Sequence, residues 1–246
     1  METATGITHY FGKNLAKLLS EKICTVHKEF DQRKFIKAVE KGLADKSLVQ
    51  RVEWIADNLR IHLPAAYPDA INILTKILGP ENEQETGMFT NFYWVMPVGK
   101  FVEKYGLDYY DISITAIAEI TKRNTGEYAI RPYVRKHPEK TVKQMKNWAG
   151  SKNFHLRRLA SEGLRPKLPW ASKLDVFIEK PEPVFDILEI LKEDPVRFVK
   201  KSVANHLSDY IKVNPQAASK LINKWKPSAD EHTQWIIKQA TRKLGK

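Results

Sequence analysis

Apolar residues return every three or four positions along almost the whole chain, as in Val49, Val52, Ile55, Ala56 and Leu59, and again in Val199, Val203, Leu207 and Ile211. That spacing gathers apolar side chains into one stripe on an α-helix and would scatter them over both faces of a strand, so helix is the reading nearly everywhere. No segment sustains an alternation of β-branched and polar residues. Only YWVMPV at 93–98 passes for a short strand, and Pro97 interrupts it. Thirteen prolines and eleven glycines punctuate the helical pattern, near Pro64, Pro68, Gly79, Gly126, Pro138, Gly150, Pro166, Pro181, Pro195, Pro215 and Pro227. The chain reads as about ten short helices in series.

Short amphipathic helices in series call for a search for internal repeats. Arg157–Arg158 in SKNFHLRRLASEG (151–163) and Lys200–Lys201 in DPVRFVKKSVANHLSDY (194–210) each precede an apolar and small run, and the two pairs lie 43 residues apart. KSLVQRVEWIADNL (46–59) is a weaker third copy. The period is that of HEAT and armadillo repeats, and it predicts an all-α fold: a right-handed α-solenoid of HEAT-like helical repeats with a concave basic groove, as one domain over 1–246. In such a repeat Asp194 caps the helix that follows, Pro195 sits in its first turn, and the basic residues after them face the groove.

The charge is uneven. Lys and Arg number 41 against 29 Asp and Glu, a net of +12, and residues 131–170 alone hold eleven basic residues against Glu139 and Glu162, a net of +9. Tyr133, Trp148, Phe154 and Trp170 are interleaved with them. Such a segment suits a wall that follows a phosphate backbone; the competing reading is a set of solvated Lys-rich helix faces. Prolines 132, 138, 166 and 169 break the region too often for one interfacial membrane helix. A single Cys24 closes no internal disulfide, no Cys/His spacing suits zinc, and no window nears 18 consecutive apolar residues. These features predict a cytoplasmic, monomeric protein with no metal, no cofactor and no membrane partner.

The residues at 155–171 read HLRRLASEGLRPKLPWA, with TGEYAIRPYV (125–134) upstream and SVANHLSDYIKVNP (202–215) downstream. In this order and spacing the three blocks resemble the AlkC family of bacterial DNA alkylation-repair glycosylases, HEAT-like-repeat enzymes related to AlkD. The likeness runs over most of the chain. Some members add a C-terminal immunoglobulin-like module, and the expectation here is a chain without one.

The resemblance implies hydrolysis of the N-glycosidic bond of cationic N-alkylated bases, such as 3-methyladenine, 3-methylcytosine and 1-methyladenine, in double-stranded DNA and without a base-flipping pocket. A cationic base departs neutral and needs no strong acid; the sugar left behind is oxocarbenium-like and is stabilised by carboxylates that also orient water. Glu127, Glu162 and Asp209 stand on the family's acidic positions. The resemblance implies that all three belong to the active site; the roles assigned on that basis have Asp209 and Glu162 flank the deoxyribose, with Asp209 positioning the water and Glu127 assisting. Glu162 is conspicuous even without the family, because an acid in a phosphate-facing basic segment repels DNA. Its bland reading is an ion pair with Arg158 one helical turn earlier; for Glu127 it is a charge in a first helical turn, and for Asp209 a solvated acid near a helix end. The DNA-binding set is Arg157, Arg158, Arg165, Lys167, Trp170, Lys200 and Lys201, with core packing as the alternative for Trp170 and solvent-facing side chains as that for the lysines. His155 and His206 read as helix-packing or phosphate-contacting residues. The runner-up function is a non-catalytic HEAT-like protein that binds bent or branched duplex, and a protein-binding scaffold is third.

Overall fold

The structure is a computed structural model that describes residues 6–87, 89 and 91–242. Fourteen α-helices and two 3-10 turns make up the regular structure of these residues, and no strand occurs among them. The sequence anticipates the class and undercounts the helices, because several breaks are made by polar caps rather than by Pro or Gly. Asp31, for instance, opens a helix by accepting the Lys34 amide at 3.0 Å. Contacts divide the chain into two compact units, Met1–Glu83 with Gly87–Ala129, and Gln84–Thr86 with Ile130–Lys246. The division after Ala129 falls inside the TGEYAIRPYV motif, where no linker composition marks it.

The first unit holds α1 (Lys13–Val26), α2 (Gln32–Lys41), α3 (Leu48–His62), α4 (Tyr67–Lys76), α5 (Met96–Tyr105) and α6 (Tyr110–Thr121). α1 packs on α2, α2 on α3, α3 on α5 and α5 on α6, while α4 packs on α6 and α1. Leu15, Leu19, Ile55, Leu59, Phe101 and Ile117 fill the core with no exposed surface, each burial contributing about 1.5–3 kcal/mol before entropy is charged against it. The candidate strand at 93–98 is helical instead. Tyr93–Val95 form a 3-10 turn that runs directly into α5, and Pro97 lies in the first turn of that helix. Proline there lacks only an N–H that has no helical acceptor, so it starts the helix instead of interrupting a strand.

The second unit holds α7 (Arg131–Lys136), α8 (Pro138–Ala149), α9 (Phe154–Glu162), α10 (Asp175–Glu179), α11 (Glu182–Leu191), α12 (Arg197–Val213), α13 (Pro215–Trp225) and α14 (Glu231–Thr241). The 17-residue α12 is its hub, packing on α9, α11, α13 and α14. Its buried face runs through Val199, Val203, His206, Leu207 and Tyr210, spacings of three and four that keep one side against its neighbours. The two basic pairs 43 residues apart thus sit on helices that pack against each other. Asp194 lies outside the helix, whose cap is Val196. Its carboxylate accepts the Val196 amide at 2.9 Å and the Arg157 Nε at 2.6 Å, so it ties the approach to α12 back to α9 instead of capping it.

Candidate active site

Two of the three predicted acids meet in the second unit. α9 starts at Asn153, whose side chain accepts the His155 and Leu156 amides at 2.9 and 3.3 Å, and its last residue is Glu162. Gly163 then lets the chain leave through a tight space. A Cβ there would stand 2.8 Å from both Ile130 Cγ2 and Met145 Cε and 3.1 Å from the Leu159 carbonyl oxygen, which accounts for glycine in the ASEG block. The loop that follows carries Arg165, and the buried Arg131 guanidinium holds that loop by donating to the carbonyls of Gly163 (3.3 Å), Arg165 (2.9 Å) and Ser172 (2.5 Å). Arg131, counted by sequence among the phosphate-facing charges, is an internal bracket.

Arg165 joins the acids. Its Nη1 donates to Glu162 Oε1 at 2.6 Å and its Nε to Asp209 Oδ2 at 2.8 Å. All three side chains are nearly buried. Arg158, the partner expected one turn before Glu162, stands farther off at 3.7 Å. Burial pushes the Glu162 carboxyl up, but Arg158 and Arg165 outweigh it and hold the group below its ordinary value. For Asp209 the balance tips the other way. Burial wins over the opposing pull of Arg165, and the carboxyl is raised. Asp209 is therefore a stronger base than a free aspartate, and its Oδ1 accepts no hydrogen bond among the described residues.

Behind Glu162 runs a chain of hydroxyls. Ser202 Oγ donates to Glu162 Oε2 at 2.5 Å and lies 3.0 Å from Ser161 Oγ, which in turn is 3.4 Å from His206 Nδ1. A hydroxyl carries one proton. With that of Ser202 committed to the carboxylate, Ser161 supplies the proton between the two serines and accepts one from His206 Nδ1. The tautomer of His206 follows, and its buried Nε2 is left without a hydrogen-bond partner among the described residues. Burial, with Arg165 nearby, pushes His206 down to about 3, so the ring is neutral. It stacks on Tyr210 at 5.5 Å and contacts no solvent, which rules out a phosphate contact. His155 is likewise buried, packed against Phe154 and Phe198. Sequence reasoning missed Ser161, Ser202 and the bracketing role of Arg131, although all three lie inside the motif blocks.

The third acid, Glu127, belongs to the first unit. It is buried in a turn before α7, outside any helical first turn, and its Oε2 accepts the Thr125 hydroxyl at 2.7 Å. Of the predicted DNA-binding residues, Lys167 and Lys201 are exposed, and Trp170 is 75% exposed with φ at 60°, so it is no core anchor. A left-handed backbone at a bulky residue is uncommon and here turns the indole outward. Lys200 lies over the Trp235 ring and 3.2 Å from His232 Nδ1. Arg157 is engaged internally by Asp194 and by the carbonyls of Ser151 and Lys152.

A family model described as DNA alkylation repair enzyme matches residues 103–244, a span that includes all three acids. An uncharacterized Bacillus subtilis protein, YhaZ, is 33% identical over 235 residues, which cover 95% of this chain and 63% of that protein. The solved structure of Pseudomonas fluorescens alkylpurine DNA glycosylase AlkC, bound to DNA containing an abasic site analog, is similar at 32% identity and a TM-score of 0.88 over 99% of this chain and 66% of that one. The chain thus spans a little under two thirds of the length of these relatives. With the matched model covering more than half of its residues, the chain belongs to the DNA alkylation repair enzyme family.

Proposed function

We propose that the protein is a DNA glycosylase that hydrolyses the N-glycosidic bond of cationic N-alkylated bases, 3-methyladenine, 3-methylcytosine and 1-methyladenine among them. The observation that carries this reading is the pair of nearly buried carboxylates, Glu162 and Asp209, held by the single guanidinium of Arg165. A protein that only binds DNA gains nothing from two buried acids, because each repels the backbone and costs desolvation. The likeness to a glycosylase that is bound to abasic DNA supports the same reading.

In the reaction, the bond from C1′ to the base nitrogen breaks and its electron pair leaves with the base, which becomes neutral. Positive charge develops on the sugar ring. Glu162, held ionised by its two arginines, is the fixed negative charge beside it, and preorganised charge of this kind stabilises the transition state more than the ground state. Asp209, with its raised basicity and open Oδ1, orients a water molecule and takes its proton as the oxygen bonds to C1′. Glu127 enters this reading from its motif alone. Trp170 is the exposed ring available to pack on the lesion nucleotide, with Arg158, Lys167, Lys200 and Lys201 towards the phosphates.

The test is base release from methylated duplex, followed by mass spectrometry, for the wild type, Glu162→Gln and Asp209→Asn. Each substitution is expected to lower the rate by about 10²–10³, the worth of one preorganised electrostatic group. Wild-type protein that binds the duplex and releases no alkylated base refutes the enzyme; two fully active variants refute the roles given to these acids.

A further inference from the structure

Within the second unit, between α9 and the start of α12, lies a pocket of about 380 Å³ whose wall includes Glu85, Arg158, Glu162, Arg197, Phe198 and Lys201. Three of these are cations. Arg197 and Lys201, one helical turn apart on α12, are exposed and have no ion-pair partner among the described residues. Arg158 lies with its guanidinium 4.6 Å from the Phe198 ring centroid. The Phe198 amide in the first turn of α12 points here too, and an amide at that position has no acceptor within its own helix.

One anion already occupies the pocket. Oε2 of Glu85 accepts the Phe198 amide at 2.9 Å. Glu85 is exposed, and it comes from Gln84–Thr86, the three-residue segment that packs with this unit although the chain on either side belongs to the other. The contact is not what builds the pocket, since the cations and the helix end are set by α9 and α12. The carboxylate has the charge and the paired oxygens of a phosphodiester.

We infer that this pocket is a binding site for a backbone phosphate of DNA, adjoining Glu162, and that the Glu85 carboxylate occupies the phosphate's place until DNA displaces it. The inference rests on the proposed function in needing DNA against the second unit, and adds to it Arg197, the Phe198 amide and a displaceable acid. A cationic alkylated base is a poor occupant, because Arg158, Arg197 and Lys201 repel it and the oxygens of Glu162 are already engaged by Arg165 and Ser202. A phosphate replaces Glu85 charge for charge. It also places the adjoining sugar near Glu162 with no need for the base to enter a pocket.

The experiment measures binding of fluorescein-labelled duplex carrying an abasic site, from 50 to 200 mM salt, by the wild type, Glu85→Gln and the double variant Arg197→Ala/Lys201→Ala. Removing the competing charge in Glu85→Gln is expected to tighten binding and steepen the salt slope by about 0.9, the value for one phosphate. The gain over wild type then changes about threefold across that fourfold range of salt. The double variant is expected to weaken binding and flatten the slope. A second measurement is independent of DNA affinity: inorganic phosphate titrated into ¹⁵N-labelled Glu85→Gln should shift the Phe198 amide, and at lower concentration than in wild type. Glu85→Gln with wild-type affinity and slope, or a Phe198 amide indifferent to phosphate, overturns the site. A wild type that binds no DNA at all instead refutes the proposed function, so the two failures are distinguishable.

Discussion

Replacing Arg165 with methionine, which keeps the stem and removes the charge, tests the central feature of the site. The guanidinium makes two charge-assisted hydrogen bonds, 2.6 Å to Glu162 and 2.8 Å to Asp209. At about 1.5–3 kcal/mol each these come to about 3–6 kcal/mol. Removing one partner from a buried ion pair costs about 3–5 kcal/mol by direct comparison, so a loss of about 3–5 kcal/mol at pH 7.5 is expected. The sign of its pH dependence follows from the two acids. Glu162 is held below its ordinary value, so its ionised form adds stability that is present above the unfolded value and lost as pH falls through the folded one. Asp209 is raised, so its ionisation in the fold already costs stability, a cost that disappears as pH falls and the carboxyl takes up a proton. Without Arg165 burial goes less opposed at both: Asp209 is raised further, and Glu162, left with Arg158 and Ser202, moves up from its lowered value. The deficit of Arg165→Met is therefore largest at neutral pH and shrinks towards pH 5 as the acids neutralise. Urea titrations followed by circular dichroism between pH 5 and 8 read this directly. A deficit below about 1 kcal/mol at pH 7.5, or one of the same size at pH 5, shows that Arg165 does not hold the two charges. Arg165→Lys should recover part of the loss, since a single ammonium keeps the charge without the two-pronged geometry.

Two further substitutions separate fold from function. Trp170→Ala removes a ring that is 75% exposed, so the thermal midpoint should stay put while affinity for abasic duplex falls by about 1–3 kcal/mol, the worth of one stacked base; an unchanged affinity places the ring outside the interface. Ser202→Ala removes the donor to Glu162 Oε2 and so raises the Glu162 carboxyl. The turnover number for base release should fall about tenfold with KM little changed, and the acid limb of the rate profile should move to higher pH; a uniform loss at every pH would mean that the serine serves packing alone.

Helix content was legible because its signals are local: apolar spacing, polar caps and proline at first turns all lie within one or two turns of chain. The same locality explains the errors. YWVMPV is apolar and short, and alternation alone does not separate a strand from a 3-10 turn that feeds a helix; Pro97 is decisive only once the helix start is known. The acids were legible as residues and not as a geometry. Helical spacing pairs Glu162 with Arg158, but the helix ends at Glu162, and beyond Gly163 the loop carries Arg165 to 2.6 Å while Arg158 stands at 3.7 Å. That Arg165 also reaches Asp209, 44 residues away, depends on the packing of α9 against α12, which no local pattern encodes.

The basic segment that first suggested a polyanionic partner is therefore not one continuous wall. Of its eleven cations, Arg131 and Arg165 are buried, Arg157 and Arg158 are half-buried, and Arg135, Lys136, Lys140, Lys143, Lys146, Lys152 and Lys167 are exposed. The buried pair acts on the protein itself: Arg131 fixes the loop, and through the loop Arg165 fixes the acids. Charge composition cannot distinguish a guanidinium that grips a phosphate from one that orders a carboxylate, because both are cations in an anionic setting. Burial distinguishes them. By that criterion the cations free to meet phosphate beside Glu162 lie outside the segment, at Arg197 and Lys201, among the basic residues that the repeat pattern turns to the groove after Asp194 and Pro195. The acids are then held from behind by the buried Arg165, while the exposed Arg197 and Lys201 share a pocket with Glu162, so on the proposed function a phosphate can be drawn there without taking away the cation that keeps the carboxylates in place.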